Sequence, residues 1–398
     1  MVHLGKVSRT IKLVHAADFH IGRPLPSHLA VEKAAARRRE IVQAFASTVA
    51  LAREQGADLL LISGDLFEHR YARAEAIKQV VGLLREIPDV RVFISPGDQD
   101  PVTVNSFYAT LDWPPNVFIF KEAQPRAVVL EELGVVVHGL GWTDFEESRE
   151  LIKGYSCSDS GVEGIHILMV HGDLMKTPLV SSYLPVLAQD LAATGACYAA
   201  LGHMHQPAEF DAGSVKCVYP GSPEPLELGE AGEHGVYFSV LSGDRVSTSF
   251  IPLAQRKVHR VKCDISSCDT LEKVRNLLLS VGSRTQRKRD FWEITLTGVS
   301  DPALELDTDQ LEESLSDEFF SLQVYSEVVP DYDLRSLMAF GHSYLESRFC
   351  RAIVGKREEA RAAGDLDRAE VLEKALYYGL DALRLKRIVH RGHGRLRD

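Results

Sequence analysis

The stretch LLLISGD, residues 59–65, is a short apolar run that ends at a glycine and an aspartate. A continuous apolar run of this length, bounded by turn residues, indicates a buried strand. Similar runs occur before and after it, at 11–17 and 90–95, and segments with helical periodicity lie between them, at 31–55 and 72–87. Buried strands that alternate with helices predict an α/β fold in which helices cover the sheet.

The rest of the chain changes character twice. Short β segments follow the alternating part and predict a second sheet. A small mixed pattern of strands and helices comes next, and the end of the chain has helical periodicity. We therefore predict three domains, with boundaries 1–254, 255–330 and 331–398, of which the second is a small α+β module and the third is helical.

The composition is that of a globular protein and restricts its partners. The chain has 398 residues, of which 45% are hydrophobic and 25% charged, with a formal net charge of −11. This charge weighs against binding nucleic acid through overall charge, although it leaves room for a local basic groove. The six cysteines are scattered without a C-x-x-C pair, and the sequence shows no signal peptide or long apolar run. We therefore expect reduced thiols, no membrane association and a cytoplasmic location.

Aspartate or histidine follows five of the predicted strands, usually beside a glycine. Each such residue alone is more often a turn former or a structural histidine than part of a site. Five such strand ends in one α/β chain indicate a metal site, and mixed carboxylate and imidazole ligands favour Mn²⁺, Fe²⁺ or Zn²⁺ over Mg²⁺ or Ca²⁺. Seven ligands are too many for one ion, so we predict two ions that share a carboxylate. The candidate ligands are Asp18, His20, Asp65, Asp98, His171, His203 and His205.

The order of these motifs, D-x-H, G-D, G-x-x-D, H and G-H-x-H, resembles that of the calcineurin-like metallophosphoesterases. The resemblance is strongest to their SbcD and YhaO-type branch of DNA repair nuclease subunits, and it covers residues 12–251. It implies an α/β fold: a two-sheet αββα metallophosphoesterase sandwich with a small α+β cap and a C-terminal helical region. The supporting stretches are HAADFHIGRPL (15–25), ISGDLFEHR (62–70), LGHMHQP (201–207) and YPGSPEPLELGE (219–230).

The same resemblance implies how the ligands divide between two ions, typically Mn²⁺, with Fe²⁺ or Zn²⁺ as alternatives. In such a site the ions activate a water for in-line attack on phosphorus and stabilise the attacking and leaving oxygens. One ion would be held by Asp18, His20, Asp65 and His205, and the other would share Asp65 as a bridging ligand and add Asp98, His171 and His203.

The stretch PGDQD, residues 96–100, departs from the family pattern G-N-H-D. Asp98 replaces a neutral asparagine ligand, and its extra negative charge lowers the Lewis acidity of a bound metal and repels a phosphate. Gln99 replaces the histidine that the resemblance makes the general acid, and an amide cannot deliver a proton near neutral pH. Losing a general acid typically costs about 10²–10⁴ in rate. We therefore predict a site that binds metal but is handicapped in phosphodiester cleavage.

Three functions fit these residues. The first is a two-metal DNA exonuclease or phosphodiesterase subunit that acts in DNA-end processing or repair, with activity reduced by the Asp98 and Gln99 changes. The second is a catalytically weak or inactive DNA-binding scaffold subunit. The third is a phosphatase of a small phosphoester whose leaving group needs no acid. We favour the first, because a simple phosphatase does not need the module that follows the sandwich.

The resemblance also implies the partners, which are DNA and an SMC-like coiled-coil ATPase bound by the C-terminal helical region. The sequence leaves a homodimer open. Two apolar stripes in the helical region fit such docking, although ordinary packing within the domain explains them equally well. The basic tail, residues 384–398, could add salt-sensitive affinity for DNA. The stripes are Leu334, Leu337, Met338, Gly341 and Leu345 in one case, and Leu372, Leu376, Leu380 and Leu383 in the other.

Overall fold

The computed structural model describes residues 10–25, 29–175, 181–243, 245–339 and 344–388. Gly341 of the first apolar stripe and residues 389–398 of the basic tail lie outside the described residues. The chain divides into two compact units, Met1–Lys257 and Val258–Asp398. The division of the second unit into a cap and a helical domain stays a prediction.

The first unit alternates strands and helices and then becomes mainly β. A short 3₁₀ helix, Cys157–Ser160, also lies in it. In chain order, its described elements are β1 (Ile11–Ala16), α1 (Val31–Glu54), β2 (Leu59–Ile62), α2 (Ala74–Arg85), β3 (Arg91–Ile94), α3 (Phe107–Thr110), β4 (Val117–Ile119), β5 (Arg126–Leu130), β6 (Val135–Gly139), β7 (Ile165–His171), β8 (Leu174–Met175), β9 (Val186–Leu187), α4 (Ala188–Ala193), β10 (Tyr198–Gly202), β11 (Ala208–Ala212), β12 (Val215–Tyr219), β13 (Gly235–Ser242) and β14 (Arg245–Pro252).

Two six-stranded sheets form the body of this unit, as far as it is described, in the orders β14-β13-β1-β2-β3-β4 and β11-β12-β10-β7-β6-β5. Strands β1 to β4 are parallel, and so are β6, β7, β10 and β12. The β13–β14 hairpin extends the first sheet through antiparallel pairing with β1. The predicted second sheet is therefore confirmed, and within each sheet the parallel strands end on the same side.

Alternate residues of each strand point to different layers, as the period of two requires. Leu13 and Leu61 of the first sheet are buried against Val137 and Met169 of the second, whereas Val14 faces the opposite way. The outer face of the first sheet packs against α1 and α2 through residues such as Phe45 and Val80. The outer face of the second sheet packs against α4 and the segment that follows β6. This layering confirms the predicted αββα sandwich.

The second unit combines a small sheet with helices. The described elements of this unit are β15 (Val258–Asp264), α5 (Leu271–Ser280), α6 (Arg284–Arg289), β16 (Phe291–Thr297), β17 (Val299–Ser300), α7 (Thr308–Leu315), β18 (Ser321–Ser326), β19 (Val329–Pro330), α8 (Leu334–Ala339), α9 (Leu345–Ala362) and α10 (Leu366–Arg384). A three-stranded parallel sheet, in the order β15-β16-β18, packs against α5 and α7.

The apolar stripes of the helical region are partly buried within the second unit. Leu337 of the first stripe and Leu376 and Leu380 of the second pack together in one buried cluster. Leu345, which begins α9, remains 66% exposed. Ordinary packing therefore explains part of each stripe, and the exposed remainder is smaller than the sequence pattern suggested.

The basic cluster of the second unit forms α6, and its cations have partners in the same unit. Arg287 is buried and donates to the carbonyls of Val281 and Gly282 at 3.0 Å each. Lys288 donates to the carbonyl of Asp317, and Arg289 pairs with the neighbouring Asp290. These contacts favour a structural role for the cluster.

None of the helices in the described ranges has both the length and the apolar character that crossing a bilayer requires.

Candidate metal centre

The structure brings all seven predicted ligands to one edge of the first unit, where parallel strands of both sheets end. Three loops of the first sheet contribute the carboxylates and one histidine: the loop after β1 carries Asp18 and His20, and the loops after β2 and β3 carry Asp65 and Asp98. The second sheet contributes the other histidines. His171 is the last residue of β7, and His203 and His205 follow β10.

Four of these residues have a left-handed backbone, which is uncommon outside glycine and concentrates at functional sites. Their φ angles are 55° at Asp18, 48° at His20, 48° at Asp65 and 100° at His203. The sharp turns of the loop after β1 direct Asp18 and His20 to the same space, while Phe19 between them packs in the core. Gly97 leaves that space open, because a Cβ there would lie 2.2 Å from Oδ1 of Asp65.

The first group of donors consists of Asp18, His20 and His205, whose ligand atoms lie within 4.8 Å of one another. Nε2 of His20 and Nε2 of His205 are 3.1 Å apart. Oδ2 of Asp65 approaches Nε2 of His20 to 3.4 Å. Two imidazole nitrogens and a carboxylate oxygen that face one another so closely suit a cation.

The second group consists of Asp98, His171 and His203, again with ligand atoms within 4.8 Å. Oδ1 of Asp98 lies 3.0 Å from Nε2 of His171 and 3.3 Å from Nδ1 of His203. Oδ1 of Asp65 lies 3.5 Å from the same Nε2 of His171. Asp65 thus turns one oxygen to each group, which is the position that a bridging carboxylate needs.

Three histidines of the centre are oriented by acceptors outside it. Nδ1 of His20 lies 2.9 Å from a carboxylate oxygen of Glu68, and Nδ1 of His205 lies 2.7 Å from one of Glu230. Nδ1 of His171 lies 2.8 Å from the carbonyl oxygen of Ser63. An Nδ1–H that donates outward leaves Nε2 to point into the centre, as in metal-bound histidines.

The acceptors Glu68 and Glu230 were missed in the sequence, since neither follows a strand at ligand spacing. Both lie inside stretches that carry the resemblance, ISGDLFEHR and YPGSPEPLELGE. For Glu68 the available signal was its position three residues after Asp65, whereas Glu230 lies 25 residues from His205 and gave no such signal. The donor set, with its outward-bonded histidines, fits two divalent ions.

Charges in the centre influence one another strongly in the metal-free protein. Burial alone would lower the pKa of His205, but its hydrogen bond to Glu230 and the charge of Asp18 outweigh burial and raise that pKa to about 9. Burial would raise the pKa of Asp98, but hydrogen bonds from His171 and His203 hold it well below its usual range. The opposite shifts of these two pKa values both come from attraction between imidazole and carboxylate groups, in the space that metal cations would take.

The stretch PGDQD has two distinct roles in the structure. Asp98 belongs to the centre, and the side-chain amide of Gln99 donates to its Oδ2 at 2.6 Å. Asp100 instead anchors the loop, because its buried carboxylate accepts hydrogen bonds from the Gly97 N–H at 2.8 Å and the Tyr108 hydroxyl at 2.6 Å. Burial and the nearby charge of Asp65 raise the pKa of Asp100 to about 7.

The centre opens into a cleft of about 540 Å³. The ring of Tyr183, which is 43% exposed, stacks on His203 with centroids 5.0 Å apart. Arg23 also lines the cleft and pairs with Glu227. His69 donates its backbone N–H to the Gln99 carbonyl at 3.0 Å, and its buried Nδ1 has no hydrogen-bond partner among the described residues.

Residues 11–240 match the calcineurin-like phosphoesterase superfamily domain, so the chain belongs to that superfamily and the predicted family is confirmed. Among its relatives, the metallophosphoesterase YhaO of Bacillus subtilis is 28% identical over 275 residues, which are 66% of this chain and 64% of that one. The DNA double-strand break repair protein Mre11 of Aeropyrum pernix is 26% identical over 298 residues, 71% of this chain and 70% of that one. The match to YhaO thus spans just under two-thirds of that protein.

A third relative and a solved structure extend these similarities. The D component of the nuclease SbcCD from Rhodobacter capsulatus is 22% identical over 293 residues, 58% of this chain and 67% of that one. Among solved structures, TT1561 of Thermus thermophilus aligns with a TM-score of 0.38 and 13% identity, over 61% of this chain and 99% of that chain.

Proposed function

We propose that this protein is a divalent-metal-dependent phosphodiesterase that acts on DNA ends. The observation that carries the proposal is the convergence of seven oxygen and nitrogen donors in which Asp65 faces both groups and three histidines are held by outside acceptors. Similarity to Mre11 and to the D component of SbcCD supports DNA as the substrate. Two ions, most plausibly Mn²⁺, would be held by these donors.

The ions, when bound, supply the Lewis acidity that activates the attacking water and stabilises the phosphoryl oxygens. The chain's own residues orient the reaction. Glu68 and Glu230 keep the rings of His20 and His205 in one tautomer and one orientation. Arg23 and Tyr183 line the cleft beside the centre, where a cation and an exposed aromatic ring suit a phosphate and a stacked base.

The residue at the expected acid position would not protonate the leaving group. Gln99 occupies the position of the expected acid, where it lines the cleft and donates its side-chain amide to Asp98. This geometry supports slow cleavage of DNA, in which the leaving sugar hydroxyl is strongly basic. It equally favours the second candidate, a DNA-binding scaffold subunit with weak or no catalysis. An activated or small phosphoester would be hydrolysed more readily than DNA.

We also propose that the helical region of the second unit binds an SMC-like coiled-coil ATPase. The relative that is named as one component of the SbcCD nuclease supports a partner protein. Exposed apolar side chains on α9 and α10, including Leu345 at 66% and Val371 at 65% exposure, are available to such a partner.

The function is tested by assaying the purified full chain with Mn²⁺ on linear duplex DNA and on bis-p-nitrophenyl phosphate. We expect hydrolysis of the activated ester, weaker cleavage of DNA ends, and loss of both in Asp65→Asn. The matched control is Asp211→Asn, which removes a surface carboxylate of β11 that pairs only loosely with Lys216, at 3.4 Å. DNA binding by wild type without hydrolysis of either substrate would support the scaffold, whereas hydrolysis by wild type that Asp65→Asn leaves undiminished would overturn the proposed centre.

A further inference from the structure

A second cluster of metal-binding side chains lies on the outer face of the second sheet. It consists of His138 on β6, His166 on β7 and Cys157 in the 3₁₀ helix that covers them, with ligand atoms within 4.8 Å of one another. The strand register pairs Val136 with His166, so His138 stands two residues further along the same face. His166 precedes His171 by five residues, which is roughly 17 Å along an extended strand.

We propose that His138, Cys157 and His166 form a Zn²⁺ site separate from the candidate metal centre. One thiolate and two imidazoles are ligands that Zn²⁺ prefers, and carboxylates, which suit Mn²⁺, are absent from the three. Around a tetrahedral zinc ion such ligand atoms lie roughly 3.3–3.6 Å apart. Nε2 of His138 and Nδ1 of His166, now 2.8 Å apart, need to separate only slightly.

Both histidines already have the supporting contacts of metal ligands. Nε2 of His166 lies 3.1 Å from the carbonyl oxygen of Val162, so it carries the proton and leaves the Nδ1 lone pair directed at His138. Nδ1 of His138 lies 2.7 Å from the Tyr155 hydroxyl. When Nδ1 of His138 donates its proton to that oxygen in a hydrogen bond, Nε2 of His138 also has a lone pair that can bind a metal. Outer acceptors of this kind fix the tautomer of zinc-bound histidines.

The metal-free state of this cluster is a chain of neutral hydrogen bonds. In it, Tyr155 donates to His138 and His138 donates to His166. Burial lowers the pKa of His138 to about 4 and raises that of the Cys157 thiol to about 12. Both imidazoles are therefore neutral, and neither has to lose a second proton before a metal binds. On binding Zn²⁺ the His138 proton moves from Nε2 to Nδ1 and the thiol loses its proton to solvent, so that one proton is released per ion.

The test uses Co²⁺ as a spectroscopic probe, with the full chain first saturated with Mn²⁺. Thiolate bound to Co²⁺ gives an intense near-ultraviolet charge-transfer band, which carboxylate and imidazole ligands do not. We expect this band in the wild type and its loss in Cys157→Ala. The matched control is Cys217→Ala, because Cys217 is equally buried in the same apolar cluster of the first unit and should leave the band unchanged.

Equilibrium dialysis against Zn²⁺ gives a second readout that does not depend on activity or colour. One more Zn²⁺ per chain is expected for wild type and Cys217→Ala than for His166→Gln, because any Zn²⁺ that replaces Mn²⁺ in the centre does so equally in all three proteins. A wild type that shows no charge-transfer band overturns the proposal whether or not the variants fold, and would mean that the two imidazoles only share a proton. A band that persists in Cys157→Ala would also overturn it.

Discussion

At the scale of single residues, the proposed function makes the hydrogen bond from Gln99 to Asp98 the feature with the greatest expected effect on catalysis. Asp98 must accept that amide proton and face His171 and His203 as well. The loop therefore binds its own carboxylate where a proton donor to the leaving group is needed. An imidazole, with an ordinary pKa near 6.5, could deliver that proton near neutral pH, whereas an amide cannot.

We expect Gln99→His to raise Mn²⁺-dependent cleavage of DNA by about tenfold or more, since general acid help is typically worth 10²–10⁴. Hydrolysis of bis-p-nitrophenyl phosphate should change much less, because its leaving group is a weak base. Asp98→Asn combined with Gln99→His should add to the gain by removing one negative charge. Rates on both substrates are measured for wild type and the two variants. If wild type already cuts DNA as fast as Gln99→His, another group, such as His69, supplies the proton.

Gly97→Ala tests the spacing inside the centre. The added Cβ would lie 2.2 Å from Oδ1 of Asp65 and 2.8 Å from Nε2 of His171, so we expect loss of Mn²⁺ binding by at least about tenfold in a folded protein. The control is Gly82→Ala on α2, where a Cβ meets nothing within 4 Å. That change should stabilise the helix by roughly 0.5–1 kcal/mol. Isothermal titration with Mn²⁺ compares the metal affinity of the two variants. Unchanged binding in Gly97→Ala would show that the ligands lie elsewhere.

At the scale of elements, the strands and helices of the first unit follow from apolar runs and helical periodicity, as LLLISGD illustrates. The ligand positions follow from the same pattern, since each closes or follows a strand. Other parts of the centre depend on tertiary contacts between residues far apart in the chain. Glu230 reaches His205 from 25 positions away, and Tyr183 stacks on His203. No local pattern encodes such pairs.

The helices α9 and α10 show a second case in which the sequence alone is insufficient. The apolar stripe on α10 fitted a docking surface and ordinary packing equally well, and its Leu376 and Leu380 are fully buried within the unit. Periodicity identifies an apolar face and does not say what covers it. Of the side chains that are left for a partner, Val371 lies off the predicted stripes and Leu345 lies at the end of the first stripe.

We expect the double variant Leu345→Asp with Val371→Asp to abolish co-purification with the partner ATPase and to change the free energy of unfolding by under about 0.5 kcal/mol, as for other surface substitutions. Leu376→Ala is the buried comparison and should cost roughly 2–5 kcal/mol of stability. Pull-down and thermal unfolding of the full chain measure both effects. Undiminished pull-down by the double variant would place the docking surface elsewhere on the protein.

At the scale of the whole molecule, the sandwich brings together two sheets whose strand ends carry complementary halves of one centre. The first sheet supplies the carboxylates and one histidine, and the second supplies the remaining histidines. Without metal, burial alone would lower the pKa of His171 and His205, but the neighbouring carboxylates outweigh burial and raise both. The metal-free protein should therefore respond to pH more strongly than the metal-bound one.

The direction of that response follows from the raised pKa values. Because the pKa of His205 rises from 6.5 to about 9 on folding, its contribution to stability is complete below pH 6.5 and is lost as the pH rises through 9. The pKa of Asp100 rises on folding from 3.8 to about 7. Its contribution to stability is therefore lost as the pH rises from 3.8 to about 7. We expect the unfolding temperature in chelator to fall across this range and Mn²⁺ to reduce the fall. His205→Gln should flatten the slope, and a temperature that rises with pH in chelator would contradict the assignment.

The measurement that tests the two-metal centre most directly is the number of Mn²⁺ ions retained per chain after loading and dialysis. Mn²⁺ is suitable because it favours carboxylate and imidazole over thiolate ligands. Wild type should retain two ions. Asp65→Ala, which removes the carboxylate shared by both groups, should retain close to none, while His205→Ala, which removes a ligand of one group, should retain about one. A wild type that retains no Mn²⁺, or an Asp65→Ala variant that still holds two ions, would contradict the account.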